Sequence, residues 1–418
     1  MKIILVNYRY FISGGPERYL FNIKGLLEEN GHTVIPFSIK SSLNKPSDYE
    51  EYFLDPVGAG DEVYFGQIKN DAKTVVKSFS RMFYSLEAKK KLGKLIEDTK
   101  PDLIYVLHYQ NKISASIFDA AVKHKVPVIH RISDFGQICA NALFFRPRQK
   151  DICERCLQGS KINAVVNKCV YDSYIYSALK ASSIELQRFL NITKKVNAFV
   201  VPSKFTLSKL KESGFPNSKL VHIPTYFNFQ SITNGSPVEY LPFAVYIGRI
   251  ESEKGLLTLV KAFENTNFNL KIIGFSATGY EAELKEYLKD KKHNIEFLGK
   301  MDFGEIQTYL SQCLFTIVPS EWYDNFPNTI LESFAFKKCV VATNTGSLKE
   351  IVVNNETGIL FELKSVDDLK RKIEILFNNQ ALSIALGDNA YNKLVTEFSA
   401  GLHFAKLMEL FEKTVASY

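Results

Sequence analysis

The sequence predicts an α/β protein made of two Rossmann-like, doubly wound parallel-sheet domains. Three observations predict it. At 418 residues the chain is too long for one ordinary hydrophobic core, so two domains of similar size are expected. Lys2–Asn7 (KIILVN) and Phe243–Gly248 (FAVYIG) are continuous apolar runs of the kind that fill the middle of a parallel sheet. Each leads through a glycine-containing turn into a helix. A third run, Leu314–Val318, precedes a turn rich in acids and aromatics. A helix follows from about Asn328, with Ile330, Leu331, Phe334 and Ala335 inward, then a short strand at Cys339–Ala342 and the loop Thr343–Ser347.

Composition narrows the class. A chain with 46% hydrophobic and 13% aromatic residues has ample material for packed cores. No apolar run approaches the roughly 20 residues of a membrane span, and MKIILVNY lacks the pattern of a secretory signal, so a cytoplasmic enzyme is expected. The net charge of +7 suits a phosphate-bearing ligand or the anionic face of a membrane. Without an Arg-rich tract, an RNA-binding motif or a zinc-finger pattern, nucleic acid is not an expected partner.

In chain order, the first strand runs into Gly14-Gly15-Pro16-Glu17-Arg18 and a helix to about Glu29. Proline is tolerated in a helix's first turn, and the amides there can face a phosphate or a sugar hydroxyl. Val34–Phe37 is the second strand, completing βαβ. Residues 41–85 are polar and lack clean periodicity. Leu86–Asp98 reads as a basic helix, Leu103–Leu107 as a strand ending at His108, and Val126–Ile129 as the next strand, leading to His130 and to Ser133-Asp134-Phe135. Cys139, Cys153, Cys156 and Cys169 then cluster, with Cys153 and Cys156 spaced to chelate. In a cytosolic setting they suggest a structural zinc site. Cys313 and Cys339 lie in or beside apolar strands and read as core. Ala198–Pro202 is a strand, Ser203 caps the helix Lys204–Ser213, and Lys219–Pro224 closes the first sheet. Asn228–Pro237 reads as a linker.

In the second half, Arg249 and Lys254 flank a strand-to-helix turn before the helix Leu256–Phe263. Cations converging on a helix N-terminus suit the diphosphate of a nucleotide sugar. The plainer alternative pairs them with Glu251 or Glu253 in a solvated loop. Leu270–Gly274 and Asn294–Leu298 are further strands, with Gly299-Lys300-Met301 after the second. Glu281–Lys291, Phe303–Gln312, Val366–Phe377, Ala381–Leu386 and Leu402–Val415 read as helices. Asp324 and Glu332 stand seven residues apart across the loop-to-helix junction.

This pattern resembles the retaining glycosyltransferases of GT-B fold, specifically glycosyltransferase family 4 (group 1). The resemblance rests on Gly248-Arg249, four residues, then Lys254-Gly255, and on Asp324, seven residues, then Glu332. The small-residue helix end, the Val340-Val341 strand and the glycine loop extend it. It is firm over Phe243–Leu360 and patchy before. It implies two Rossmann-like domains facing across a cleft: residues 1–228 on the acceptor side, with a cysteine-rich insert about 136–170, and residues 229–395 binding the nucleotide sugar. Residues 396–418 would form a helix packed back on the first domain after a crossing near 390–400.

The resemblance implies transfer of a hexose-type sugar from a UDP- or GDP-linked donor to a glycan or lipid-linked saccharide, in bacterial surface polysaccharide synthesis. The enzyme would be cytoplasmic, on the inner face of the membrane. Arg249 and Lys254 would neutralise the leaving diphosphate. Asp324 and Asn325-Phe326-Pro327 would contact the sugar, Glu332 the ribose, and Gly299-Lys300-Met301 the nucleobase. Gly14, Gly15 and Gly248 would lie against the donor, and no cofactor or metal would be required for catalysis. Two departures stand out. The first acid is commonly Glu, one methylene longer than Asp324. Aligned on Asp134-Phe135, the family's usual His is Ser133 here, so either Ser133, His108 or His130 takes that contact or it is absent. A GT-B nucleotide-sugar epimerase and a catalytically inactive glycan-binding scaffold are the alternatives.

Overall fold

The computed structural model describes residues 1–58, 72–232 and 240–418. Residues 59–71 of the polar segment 41–85, and residues 233–237 of the expected linker Asn228–Pro237, lie outside the described residues.

The strands are β1 (Lys2–Asn7), β2 (Thr33–Phe37), β3 (Leu103–His108), β4 (Val128–Arg131), β5 (Phe145–Arg146), β6 (Asp151–Ile152), β7 (Ala198–Val201) and β8 (Leu220–His222). They continue as β9 (Phe243–Ile247), β10 (Asn269–Ile273), β11 (Asn294–Gly299), β12 (Phe315–Val318), β13 (Cys339–Thr343) and β14 (Gly358–Phe361). Among the described residues they form two six-stranded parallel sheets, ordered β2-β1-β3-β4-β7-β8 and β11-β10-β9-β12-β13-β14, and a small antiparallel hairpin of β5 and β6. The expected fold class is therefore observed. The apolar runs that signalled β1, β9 and β12 occupy central positions, where both faces of a strand are covered.

In each sheet the strand order reverses once, between β1 and β3 and between β9 and β12. At such a reversal, loops leaving neighbouring strands diverge to opposite faces and open a crevice at the carboxyl edge, the usual ligand position in doubly wound sheets. The loops after β1, β3, β9 and β12 carry most of the residues singled out from sequence.

The chain divides into two compact units. One comprises Met1–Ala142, Glu154–Pro224 and His403–Tyr418, and the other Leu143–Cys153 and Thr225–Leu402. Where a return near 390–400 and a short helix at Ala381–Leu386 were expected, there is one helix, Gln380–Glu397. Its Ala390 and Leu394 pack with Ile330, Leu331 and Phe334 in the second unit, so the return begins only at His403.

A buried polar chain holds the returning helix, Ala400–Ala416, in the first unit. The His403 ring bonds the Pro224 carbonyl through Nδ1 (2.8 Å) and the Tyr19 hydroxyl through Nε2 (3.0 Å), and Tyr19 bonds Tyr105 (3.1 Å). Because a carbonyl only accepts, Nδ1 carries the proton and Tyr19 donates to Nε2. The Arg131 guanidinium lies 3.9 Å over the Tyr19 ring.

Burial pushes His403 down to about 3, and burial with nearby His108 pushes His130 down to about 3 as well. Both rings are therefore neutral in the folded state, whereas the unfolded chain protonates them near pH 6.5. A depressed histidine contributes stability that is full above the unfolded value and is lost as pH falls towards the folded value. Stability should drop by about 2.5 kcal/mol between pH 7 and 5.5 from these two rings. Urea unfolding at both pH values checks this; equal midpoints would contradict it.

Candidate active site

In the second unit, the loops leaving β9 and β12 are pressed together. The Glu321 amide donates to the Glu253 carbonyl (2.8 Å), and the Thr258 hydroxyl donates to the Glu321 carboxylate (2.5 Å). Gly255 (φ +73°) makes this approach possible, since a Cβ there would lie 1.9 Å from the Pro319 carbonyl oxygen.

The central contact is Lys254 Nζ to Asp324 Oδ2, 2.6 Å, between largely buried side chains. The ammonium also lies 4.8 Å over the ring of Trp322, the chain's single tryptophan. Ser347, from the loop after β13, donates to the Asp324 carbonyl (2.6 Å). Two motifs separated by about seventy residues in sequence thus meet at one ion pair. Glu332 is buried on the helix Asn328–Ala335, one helix start beyond that pair.

Arg249 is placed differently. It is 49% exposed and its guanidinium bonds Glu253 at 2.8 Å, the plainer pairing weighed from sequence. Glu251 turns away to accept from the Ala277 amide (2.8 Å) and the Thr278 hydroxyl (2.5 Å). Gly248 donates its amide to the Ile273 carbonyl (3.0 Å), and Gly274 packs so closely on Gly248 that a Cβ there would meet its carbonyl oxygen at 1.8 Å. The carboxyl ends of β9 and β10 are thereby joined.

The remaining expected donor residues surround this edge. Asn325 is buried, Phe326 packs on Phe398 (5.8 Å between ring centres), and Pro327 precedes the helix in extended conformation. Gly299, Lys300 and Met301 lie at the end of the edge strand β11. The Gly299 carbonyl accepts from Gly274 (2.8 Å), and the Lys300 ammonium lies 5.4 Å over Phe275. Met301 packs against the cluster of Ile306 and Leu310.

One element of this edge was not anticipated. Leu143–Cys153, inside the cysteine-rich insert, belongs to the second unit. Its β5–β6 hairpin is clasped by Arg146, which grips Asp151 through Nε (2.7 Å) and Nη2. Lys364 donates to the Lys150 carbonyl, and the Lys150 ammonium lies 5.6 Å over Tyr280. Phe144, fully buried, meets the ring of Tyr323, the residue before Asp324, at 6.1 Å. Two-residue strands have no periodicity to read, and the cysteines drew attention elsewhere. Glu321, Thr258, Trp322 and Ser347 were likewise missed; the lone tryptophan beside Asp324 was the available signal.

In the first unit, His108 ends β3 and meets Asp134 beyond β4, Nε2 to Oδ2 at 3.2 Å. Shielding by the surrounding chain opposes ionisation of Asp134. His108, the Gly136 amide (2.7 Å to Oδ1) and Lys180 outweigh it and hold the carboxyl below its ordinary range. Burial pushes Lys180 down to about 8, against the pull of Asp134. His108 Nδ1 and Gln110 Nε2 face this small pocket without a hydrogen-bond partner among the described residues.

Of the three candidates for the family's histidine contact, Ser133 donates its hydroxyl to the Leu107 carbonyl (2.9 Å), and His130 is buried among Tyr109, Phe118 and Phe199. His108 alone combines a place in the pocket with a carboxylate partner. Tyr8, after β1, packs edge-on to its ring at 5.1 Å. The loop from Tyr8 to Gly15 is ordered by Arg9–Ser13–Glu17 contacts, each 2.9 Å, and Gly14 and Gly15 form the helix entry at its end.

The expected zinc set is not assembled. Among the described residues no three His, Cys, Asp or Glu side chains are grouped to hold a metal ion. Cys153 goes with the hairpin into the second unit, while Cys139, Cys156 and Cys169 stay in the first. The buried Lys161 ammonium, bonded to the Cys156 carbonyl, takes a place beside Cys139 and Cys156.

Comparison with known proteins accords with this layout. A family model described as Glycosyltransferase Family 4 matches residues 13–230, and one described as Glycosyl transferases group 1 matches residues 233–393. The chain is 35% identical over 147 residues to an uncharacterized glycosyltransferase of Methanocaldococcus jannaschii, covering 35% of this chain and 41% of that one. It is 27% identical over 171 residues to the capsular polysaccharide biosynthesis glycosyltransferase CapM of Staphylococcus aureus, covering 40% and 44%. The matched region thus spans less than half the length of these curated relatives. Sucrose-phosphate synthase of Thermosynechococcus elongatus superposes with a TM-score of 0.72 at 17% identity over 100% of both chains. The Anabaena protein HepE, solved in complex with UDP-glucose, superposes with a TM-score of 0.63 at 15% identity over 98% of this chain and 99% of that one. At these identities the likeness is one of fold, that of GT-B glycosyltransferases. Among the described residues no helix is long and apolar enough to cross a membrane.

Proposed function

The chain belongs to glycosyltransferase family 4, and we propose that it is a retaining enzyme that moves a hexose-type sugar from a nucleotide sugar to a glycan or lipid-linked saccharide. The observation that carries this reading is the Lys254–Asp324 pair at the β9–β12 reversal, which joins a cation suited to diphosphate with a carboxylate suited to sugar hydroxyls. In this reading, donor binding exchanges carboxylate for phosphate around the cations. Lys254 and Arg249 turn to the diphosphate and Asp324 is released to a sugar hydroxyl, while Glu332 holds the ribose. Asn325-Phe326-Pro327 line the sugar, Gly248 lies beside the phosphates, and Gly299-Lys300-Met301 flank the base.

As the bond from sugar to phosphate breaks, negative charge grows on the leaving oxygen. Fixed cations beside it stabilise that transition state more than the ground state. The leaving phosphate takes the acceptor hydroxyl's proton, so the pathway calls for no protein base. A UDP- or GDP-linked donor is favoured, the first supported by the UDP-glucose in complex with HepE. A role in bacterial surface polysaccharide synthesis is supported by the capsular polysaccharide role of CapM, and a place on the cytoplasmic face of the membrane is proposed with it. In the first unit, His108 and Asp134 are proposed to contact a sugar, with Gly14 and Gly15 near the donor.

The test offers the purified protein a panel of UDP-, GDP-, dTDP- and ADP-sugars and measures released nucleotide and the anomeric configuration of the product. An inverted anomer removes the retaining mechanism. Failure of every donor to bind or turn over removes the transferase reading. A second measurement separates the histidine candidates. His108→Ala should cost several-fold to about tenfold in turnover, the worth of one hydrogen bond. Ser133→Ala, whose hydroxyl is committed to Leu107, should stay within about twofold. The reverse order would assign the contact to Ser133.

A further inference from the structure

We propose that Phe144, at the foot of the β5–β6 hairpin, is a positioning residue for Asp324 and thereby for recognition of the donor's sugar. The proposal rests on the transferase reading and adds to it an element outside both sequence motifs. Asp324 sits in a tight turn, its amide donating to the Trp322 carbonyl (3.1 Å), with Tyr323 between them. Its carbonyl is held by Ser347 and its carboxylate by Lys254. In the exchange described above, Lys254 turns to the diphosphate and the carboxylate loses that guide. Its direction towards a sugar hydroxyl then depends on the backbone of the turn, held through Ser347 on one side and the Tyr323 ring on the other.

The Tyr323 ring packs edge-on against Phe144, 6.1 Å between ring centres. Phe144 is fully buried, although its φ of +51° lies in the left-handed region, as do those of Ala142 (+63°) and Lys150 (+50°). Non-glycine residues held in this way persist only where the surrounding structure imposes the conformation, and they gather at ligand sites. Here the Cys153 amide donates to the Phe144 carbonyl (2.8 Å), and the Arg146–Asp151 clasp closes the hairpin.

The hairpin's tip is fastened as well. Lys364, beyond β14, donates to the Lys150 carbonyl, and the Lys150 ammonium lies 5.6 Å over Tyr280, beyond β10. Burial, and then the charge of Glu321, push the Tyr280 hydroxyl up to about 12, so this anchor stands beside the β12 loop too. The hairpin is thus tied to segments that follow β10, β12 and β14, along the carboxyl edge where the donor is proposed to bind. An element that served stability alone could be tied anywhere on the unit. This one backs the residue next to Asp324.

The chain's single tryptophan is Trp322, in the same turn, so its fluorescence reports on this loop alone. The full-length protein is titrated with the nucleotide sugar that the donor panel identifies and with the matching nucleoside diphosphate, and Trp322 emission gives both dissociation constants. Phe144→Leu should weaken the nucleotide sugar by about five- to tenfold, the worth of one aromatic pair, and the bare diphosphate by less than about twofold. Trp322 emission should also shift before any ligand is added. Tyr323→Leu removes the same contact from the other side and should reproduce both effects. The double variant should be no worse than either single change, because residues acting through one contact are not additive. Equal weakening of both ligands means a stabilising role only and overturns the proposal, as do additive losses in the double variant. If no donor in the panel binds, the transferase reading falls and the proposal with it. Donor binding with an unchanged preference for the sugar overturns the proposal alone.

Discussion

Lys254→Ala is expected to lower nucleotide release by about 10²–10³-fold, roughly 3–4 kcal/mol of transition-state stabilisation. Lys254 is the cation the fold holds most firmly at the β9–β12 reversal, set against Asp324 at 2.6 Å and over the Trp322 ring. Arg249 is exposed and paired with Glu253, so Arg249→Ala should cost less. Removing Lys254 also strips a largely buried carboxylate of its counter-charge, which by itself can rearrange the loop and lower activity. Asp324→Asn and the double variant Lys254→Ala/Asp324→Asn separate the two effects. If the lysine acts on phosphate, the double variant regains melting temperature yet turns over more slowly than Asp324→Asn alone. A single variant whose turnover stays within about threefold of wild type would remove Lys254 from the chemistry.

Gly255→Ala is expected to destabilise the second unit by roughly 4 kcal/mol and to abolish donor binding with it. Holding a non-glycine residue in the left-handed region costs about 1–2 kcal/mol. The new Cβ would also lie 1.9 Å from the Pro319 carbonyl oxygen, and overpacking of this kind adds about 1–3 kcal/mol. The atom it strikes is backbone and cannot swing aside, so the loop carrying Glu321 and Asp324 must move. Gly25→Ala is the control. Gly25 lies inside the helix Gly15–Glu29 with nothing within 4 Å of the place a methyl group would take, and the change should stabilise by about 0.5–1 kcal/mol. Urea unfolding and the donor-induced shift in melting temperature read both variants. A Gly255→Ala protein with wild-type stability and donor response would show that the two loops need not touch.

The division between what sequence and tertiary structure each contribute follows from how the information is carried. Apolar runs, glycine turns and helix caps are local, and they are where the sequence reading and the fold agree: β1, β9 and β12, the helix from Asn328, and Ser203 capping its helix through the Thr206 amide. Lys254, Asp324 and His108 are legible for the same reason, because each sits at or just beyond a strand's carboxyl end. Helix Gln380–Glu397 is far longer than its local pattern suggests, because its buried face includes Ser383 and Gly387 beside Leu386, Ala390 and Leu394. Such a face lacks a sustained apolar stripe. Gly387 is there because a Cβ would lie 2.0 Å from the Lys337 carbonyl oxygen, a neighbour fifty residues away.

Sequence by itself determined the two doubly wound halves, the cation turn after one strand and the acid turn after another. Tertiary structure decided who meets whom. The reversal of strand order between β9 and β12 sets Lys254, and not Arg249, against Asp324. In the first sheet, the loops after β3 and β4 bring His108 to Asp134, while the core takes His130 and a backbone carbonyl takes Ser133. The β5–β6 hairpin leaves its cysteine neighbours for the second unit, where Phe144 backs Tyr323. A single chain specifies which residues prefer water, a turn or a strand. The partner of a charge or a ring depends on sheet order, which brings distant segments side by side and which no local pattern records.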